Sequence, residues 1–174
     1  MRLYLVIIRS ILIFLLSVNS LFAYQSEDAL KVAVMGKIAK YISWPNETSS
    51  FTITILDNPF GKKVDIAYKG KKIDGKKIKI IYINNIKDLP QDTKILYIPK
   101  KDSYKLTTIL QSISSKNILT ISDIRGFAQK KGILQLYFLS RKLRLKINLG
   151  VAKKNDLQIR SVLLRIVKIV KDES

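Results

Sequence analysis

Four places in this chain carry side chains suited to chemistry, and that chemistry is the holding of charge rather than the making of bonds. Two are turns, Asn58-Pro59-Phe60-Gly61 and Asp123-Ile124-Arg125-Gly126-Phe127, each following a short apolar run. Both read as helix starts, with Asn58 or Asp123 as the capping residue and Pro59 as a first helical residue. A helix N-terminus offers free N–H groups and partial positive charge, so a small anion suits it; the plainer reading is capping alone. Neither turn has the glycine spacing of a phosphate cradle. The third place is Leu143 to Leu149, where Leu143, Leu145, Ile147 and Leu149 point one way and Arg144, Lys146 and Asn148 the other, beside Lys142. Cations on an edge strand guard against sheet-to-sheet pairing, or form a basic docking surface for an acidic partner or ligand. The fourth is Trp44-Pro45, a rigid corner holding the only tryptophan. A packing plug is its plain role, and a ligand or partner contact its sharper one.

What is missing narrows the field further. There is no histidine, which excludes Ser-His-Asp triads, His-ligated zinc and imidazole acid–base catalysis. There is no cysteine either, so thiol catalysis, thiolate metal sites and disulfides are out. With 13 acidic residues, carboxylate-pair chemistry has few candidates. No cofactor or metal is expected, and no enzyme. The net charge of +19 raises nucleic acid as a partner. Lysine is dispersed, however, and travels with heavy Ile and Asn usage, so nucleic acid is set aside. Acidic partners or anionic headgroups suit such a surface better.

The elements that must position these residues run as follows. Arg2 and Arg9, the apolar run Ile11 to Leu16 and the segment ending Leu21-Phe22-Ala23 have the order of a secretory leader. Residues 1–23 are expected to be cut after Ala23, with Ser20 an alternative and an uncut anchor the rival. The remaining 24–174 read as one α/β domain. A helix is expected over Ser26 to Ile42, with Leu30, Val34, Ile38 and Ile42 on its buried stripe. Strands follow at Phe51–Leu56, Ile78–Ile83, Lys94–Ile98 and Ile118–Ile121, with helices near Phe60–Tyr68 and Ser103–Ile113 between them. Lys69 to Lys77 reads as a polar connection. The alternation implies a parallel sheet with right-handed crossovers. Ile133–Leu139 and Leu143–Leu149 add an antiparallel hairpin, Gly150–Asn155 a basic turn or short helix, and Leu157–Val170 a closing helix with Val162, Leu163, Ile166 and Ile169 inward. The expected architecture is therefore a mixed, mostly parallel sheet flanked by helices, with a C-terminal antiparallel hairpin.

Taken together, KIAKYISWP (37–45), DNPFG (57–61), GKKIDGKKIKI (70–80), the run from ILTISDIRGFAQ to KINLGVAKKNDLQI (118–159) and LLRIVKIV (163–170) resemble the YfiR-like family of exported bacterial proteins. The resemblance covers nearly all of the chain after the leader. It implies a periplasmic regulator, not an enzyme, that binds the periplasmic portion of an inner-membrane diguanylate cyclase and keeps cyclic di-GMP, and with it biofilm formation, low. It also implies an outer-membrane-linked protein that draws the regulator away, a homodimer and small-molecule binding. Two departures stand out: this chain lacks the cysteines that stabilise the best-known member, and it has Lys146 where the family commonly has an acid. Expected contact residues are Trp44, Pro45, Phe60, Gly61, Arg125, Gly126, Phe127, Arg144 and Lys146. The alternative is a sensor of a nucleotide-like or aromatic anion bound beyond the strand ends, with no cyclase partner. A third is adhesion to anionic lipid through the lysine surface.

Overall fold

The first helix, α1 (Glu27–Ala39), begins where its cap lies: the Ser26 hydroxyl accepts from Ala29 N–H at 3.2 Å, and Glu27 and Asp28 occupy the first turn. The computed structural model describes residues 26–173, so the leader and its cleavage lie outside it. α1 stops short of Ile42 because Ile42–Ser43 (β1) is extended and pairs antiparallel with Gln158–Ile159 (β9).

The remaining strands form one sheet: β2 (Ser50–Leu56), β3 (Lys72–Ile73), β4 (Lys76–Ile83), β5 (Thr93–Ile98), β6 (Leu119–Ser122), β7 (Leu134–Leu139), β8 (Lys142–Asn148) and β10 (Lys168–Val170). Their order is β10-β8-β7-β6-β5-β2-β4-β3, antiparallel only at β3–β4 and β7–β8. The sheet is mixed and mostly parallel with an antiparallel hairpin, as the sequence implies. Helices α2 (Lys63–Tyr68), α3 (Leu106–Ser112), α4 (Leu149–Lys154) and α5 (Ser161–Leu164) complete the fold. β5 shows why its run is apolar throughout: Ile95 and Tyr97 pack with α1 and α2, while Leu96 and Ile98 face Leu106, Ile109 and Phe127 on the opposite side.

The structure departs from the sequence expectations in five places. Residues 157–170 are not a helix. The chain is extended at β9 to meet β1, turns once through α5, and ends in β10, which runs parallel to β8. Ile166-Val167-Lys168-Ile169-Val170 is β-branched, so strand geometry suits it. Of the four residues expected inward, only Leu163 is buried; Val162, Ile166 and Ile169 are exposed. β10 therefore occupies the sheet edge, and β8 is not the edge strand along Lys146–Asn148. Neither turn starts a helix: Asp57 and Asn58 adopt left-handed φ of 55° and 36°, α2 begins only at Lys63, and residues 124–131 are successive turns. The Ser103 helix is a 3-10 segment over Lys100–Lys105 that runs into α3. Finally, the 69–77 connection contains a hairpin, with Asp74-Gly75 at positive φ between Ile73 and Lys76.

Two polar devices fix the elements, and a buried carboxyl is left partly unsatisfied. The Tyr68 hydroxyl enters the backbone ladder of α1, accepting from Gly36 N–H at 2.7 Å and donating to the Val32 carbonyl, its i−4 partner. Burial pushes that phenol up to about 12. Gly36 is required here, since a Cβ would lie 2.5 Å from Tyr68 Cε1. Asn148, 2% exposed, is a hub. Its amide donates to the Ala128 carbonyl (2.8 Å) and to Asp172 Oδ1 (2.6 Å), its side-chain oxygen accepts from Val151 N–H (3.0 Å) to cap α4, and its backbone N–H reaches Ile133 (2.9 Å). Lastly, Asp102 is 4% exposed with one carboxylate oxygen lacking a partner among the described residues. Burial, then the charge of Asp57, which itself pairs with Lys101 at 2.9 Å, raises the Asp102 carboxyl above its usual range.

Tyr68→Phe is expected to cost about 1–3 kcal/mol in denaturant titration, since it strips the phenol bridge between two buried backbone groups; an unchanged midpoint would mean that α1 closes its own ladder. For Asp102, the native state holds its proton more tightly than the unfolded chain. Its contribution is therefore full below the ordinary carboxyl value of about 3.9 and is lost as pH rises through the raised native value. Asp102→Asn is expected to remove that decline and to match or exceed the parent at pH 7. Melting curves that fall with pH as steeply in the variant as in the parent would refute it.

Candidate recognition surfaces

β2, β5 and β6 are parallel, so the turns that follow them gather at one end of the sheet. The structure brings Phe60 and Gly61 to the same end as Arg125, Gly126 and Phe127. What fills this end is a closed chain of charges. Asp123 Oδ2 takes Lys31 Nζ at 2.7 Å, and Oδ1 accepts from the Tyr97 hydroxyl at 3.1 Å. Lys31 lies 3.9 Å from Asp28, which also meets Lys63 at 3.2 Å. Tyr97 is buried, and desolvation followed by the Asp123 charge drives its phenol far above its ordinary value. Asp123 is thus engaged with α1 rather than capping a helix.

The two aromatic residues of these turns go to opposite faces of the sheet. The Phe60 ring packs against Tyr97, with centroids 4.6 Å apart, in the core under α1. Phe127 joins Leu96 and Ile98 in the other core, seated over Gly132. Both rings are buried, whereas Gly61 and Arg125 are exposed and Gly126 half-buried. Trp44 and Pro45 lie at the far end of the sheet, before β2. Trp44 is half-buried and meets Phe51 edge-on at 5.2 Å, and its indole N–H is buried with no acceptor among the described residues. Pro45 beside it is exposed.

The third place, around Arg144 and Lys146, has a shape that the sequence did not disclose. β7 overlaps β6 at only two positions, Ile121↔Leu134 and Ser122↔Gln135. Beyond Gln135, β7 has only β8 beside it, and β10 covers β8 only from Lys146 onward. Residues 136–139 and 142–145 therefore form a two-stranded arm that continues past the end of β6 by roughly 13 Å at the usual rise per residue. Ser140 and Arg141, both at positive φ, close its tip in a two-residue turn.

Cross-strand pairing sorts the arm into two faces. Leu136↔Leu145 and Phe138↔Leu143 share one, with Leu143 and Leu145 leaning on the main core. Gln135↔Lys146, Tyr137↔Arg144 and Leu139↔Lys142 share the other. Lys146 Nζ stands 5.2 Å from the Tyr137 ring centroid, a cation–π arrangement, and Lys146 is itself registered against Lys168 of β10. Leu139 is 59% exposed amid these cations. Among the described residues, none of Lys142, Arg144, Lys146 and Lys168 has a carboxylate within ion-pair range. At the strand ends Lys31, Lys63, Asp28 and Asp123 are paired with one another, although the exposed Arg125 is not, while the cations on the arm have no such partners among the described residues.

No three or more acidic residues cluster to hold a metal ion among the described residues, and no helix there is long and apolar enough to cross a membrane. No curated protein matches the chain. A family model does match, described as YfiR/HmsC-like, over residues 28–168, a span that includes α1, every strand up to the start of β10 and the whole arm. On that coverage the chain belongs to the YfiR/HmsC-like family.

Proposed function

We propose that this protein is a periplasmic regulator that restrains an inner-membrane diguanylate cyclase, and that it grips the periplasmic part of the cyclase with the arm of β7 and β8. Family membership supports the class of role. The observation favouring the arm is that Lys142 and Arg144 project on a two-stranded extension, with Lys146 at its root, and none of the three has an internal counter-charge among the described residues. An acidic receptor surface would complete them. Charge complementarity of this kind speeds encounter and fixes register, and the exposed Leu139 adds apolar contact near the tip of the arm.

Restraint by binding needs no reacting group. A regulator moves a receptor between two states only by its differential affinity for them; reversing a 1:99 population takes about 10⁴-fold. An outer-membrane-linked competitor for the same basic face would lift the restraint. Trp44 and Pro45, at the opposite end of the sheet, provide a separate surface, suited to a second copy of the chain or to the competitor.

Deleting the gene in a strain with an intact cyclase is expected to raise cyclic di-GMP, and unchanged levels would defeat the regulatory role. Complementation with Arg144→Glu plus Lys142→Glu is expected to leave cyclic di-GMP high at normal protein levels, because both residues are exposed and play no part in packing. Full restoration by that variant would move the contact away from the arm while leaving the role intact.

A further inference from the structure

We propose that the cleft between α3, the 129–133 turn and α4 is a binding site for a small carboxylate with an apolar body. The cleft lies apart from the strand-end charges and from the arm's basic face, and it does not depend on the regulatory reading. Its volume is about 600 Å³, within the range of small-molecule pockets. Leu110, Ile113, Ile133 and Val151 give it an apolar lining, and Lys130, Lys131 and Lys154 stand around it.

The polar groups point to an anionic head on that apolar body. None of the three lysines has an ion-pair partner among the described residues. Two carboxylates also border the cleft, Asp172 and Glu173, but Asp172 is taken up by the Asn148 amide at 2.6 Å. That hydrogen bond leaves the Asp172 charge in place, so three cations against two carboxylates give the cleft a net charge of +1. The Thr120 hydroxyl accepts from Ile133 N–H at 2.9 Å, and its own proton has no acceptor among the described residues, so it is free to donate inside the cleft. The Gln129 side-chain oxygen is buried at the wall and unpartnered, although the main-chain carbonyl of Gln129 holds the tail through Glu173 N–H at 3.1 Å. Buried carboxamides are ordinarily satisfied, and one left open beside a lysine-rimmed cleft marks a place for a ligand's polar end. Turned about its last torsion, the same amide presents N–H to a carboxylate. The apolar lining holds the body by burial, and the lysines and Thr120 hold the head by charge-assisted hydrogen bonds.

Octanoate is the probe, titrated calorimetrically into the purified protein, with n-octanol and inorganic phosphate as the two halves of its chemistry. Octanoate is expected to give a saturable isotherm with a dissociation constant of about 1 mM or tighter, and each half-probe to bind at least about tenfold more weakly. Lys131→Glu with Lys154→Glu should weaken octanoate about tenfold, and Gln111→Trp, which fills the cleft from an exposed position on α3, should abolish binding. Circular dichroism confirms that each variant is folded. No saturation by about 5 mM octanoate overturns the site. So does octanol binding as well as octanoate, or parent-like binding by the folded Gln111→Trp protein.

Discussion

Among the described residues, Asn148 makes more side-chain hydrogen bonds than any other. It is buried, and each polar atom of its carboxamide is used: the turn after β6 at Ala128, the tail at Asp172 and the first turn of α4 at Val151 all close on it. A buried amide satisfied in this way fixes one arrangement, because any alternative leaves a polar group without a partner in a poor solvent. The site it fixes is the root of the arm. β8 ends at Asn148, β10 lies beside it through Val170↔Asn148, and its backbone N–H returns to Ile133 at the entry to β7. A projecting hairpin with two register pairs to β6 needs a firm base, and this one residue supplies much of it.

The same economy explains why charge is handled differently at the two candidate surfaces. At the strand ends, Lys31 and Asp123 are partly withdrawn from water, so they are paired closely and backed by Tyr97. Removing one of them would strand the other in a place that water reaches poorly. On the arm, Lys142 and Arg144 are in solvent, where an unpaired cation costs little and an ion pair returns little. Burial therefore turned one cluster into scaffolding and left the other open to outside partners.

Much of the fold was legible from residue order. The β-branched runs at 51–56, 78–83 and 94–98 became parallel strands, the Ser26 cap of α1 held, and the alternation of 143–148 became β8. The expected stripe of α1 did not hold: its buried face is Val32, Met35, Gly36, Ile38 and Ala39, Leu30 and Val34 are only half-buried, and Ile42 lies beyond the helix in β1. The C-terminus was not legible, because Val162, Leu163, Ile166 and Ile169 have helical spacing while the last two of them also belong to the β-branched run 166–170; pairing with β8 and β1 decided the matter, and pairing is not local. Asp74-Gly75 was an available hairpin signal, hidden by the lysines around it. Alternation put Arg144, Lys146 and Asn148 on one face, but nothing in the local sequence says that the turn at Ala128 and the tail at Asp172 meet Asn148 there. Gly36 in mid-helix was a signal that could have been used: a glycine costs about 1 kcal/mol there, which a close neighbour such as Tyr68 justifies. The arm's reach and the cleft were beyond any local pattern. One follows from a register offset, and the other is lined by segments far apart in the chain.

β10 has a temporal consequence. It is the last of the described strands in chain order, and until it docks, the stretch of β8 from Lys146 to Asn148 is an uncovered row of backbone donors and acceptors. A chain in that condition is a template for the wrong neighbour. The lysines on either side of the gap, at 146 and 168, repel one another and other copies alike, so they slow the final closure and also keep strangers out while it happens.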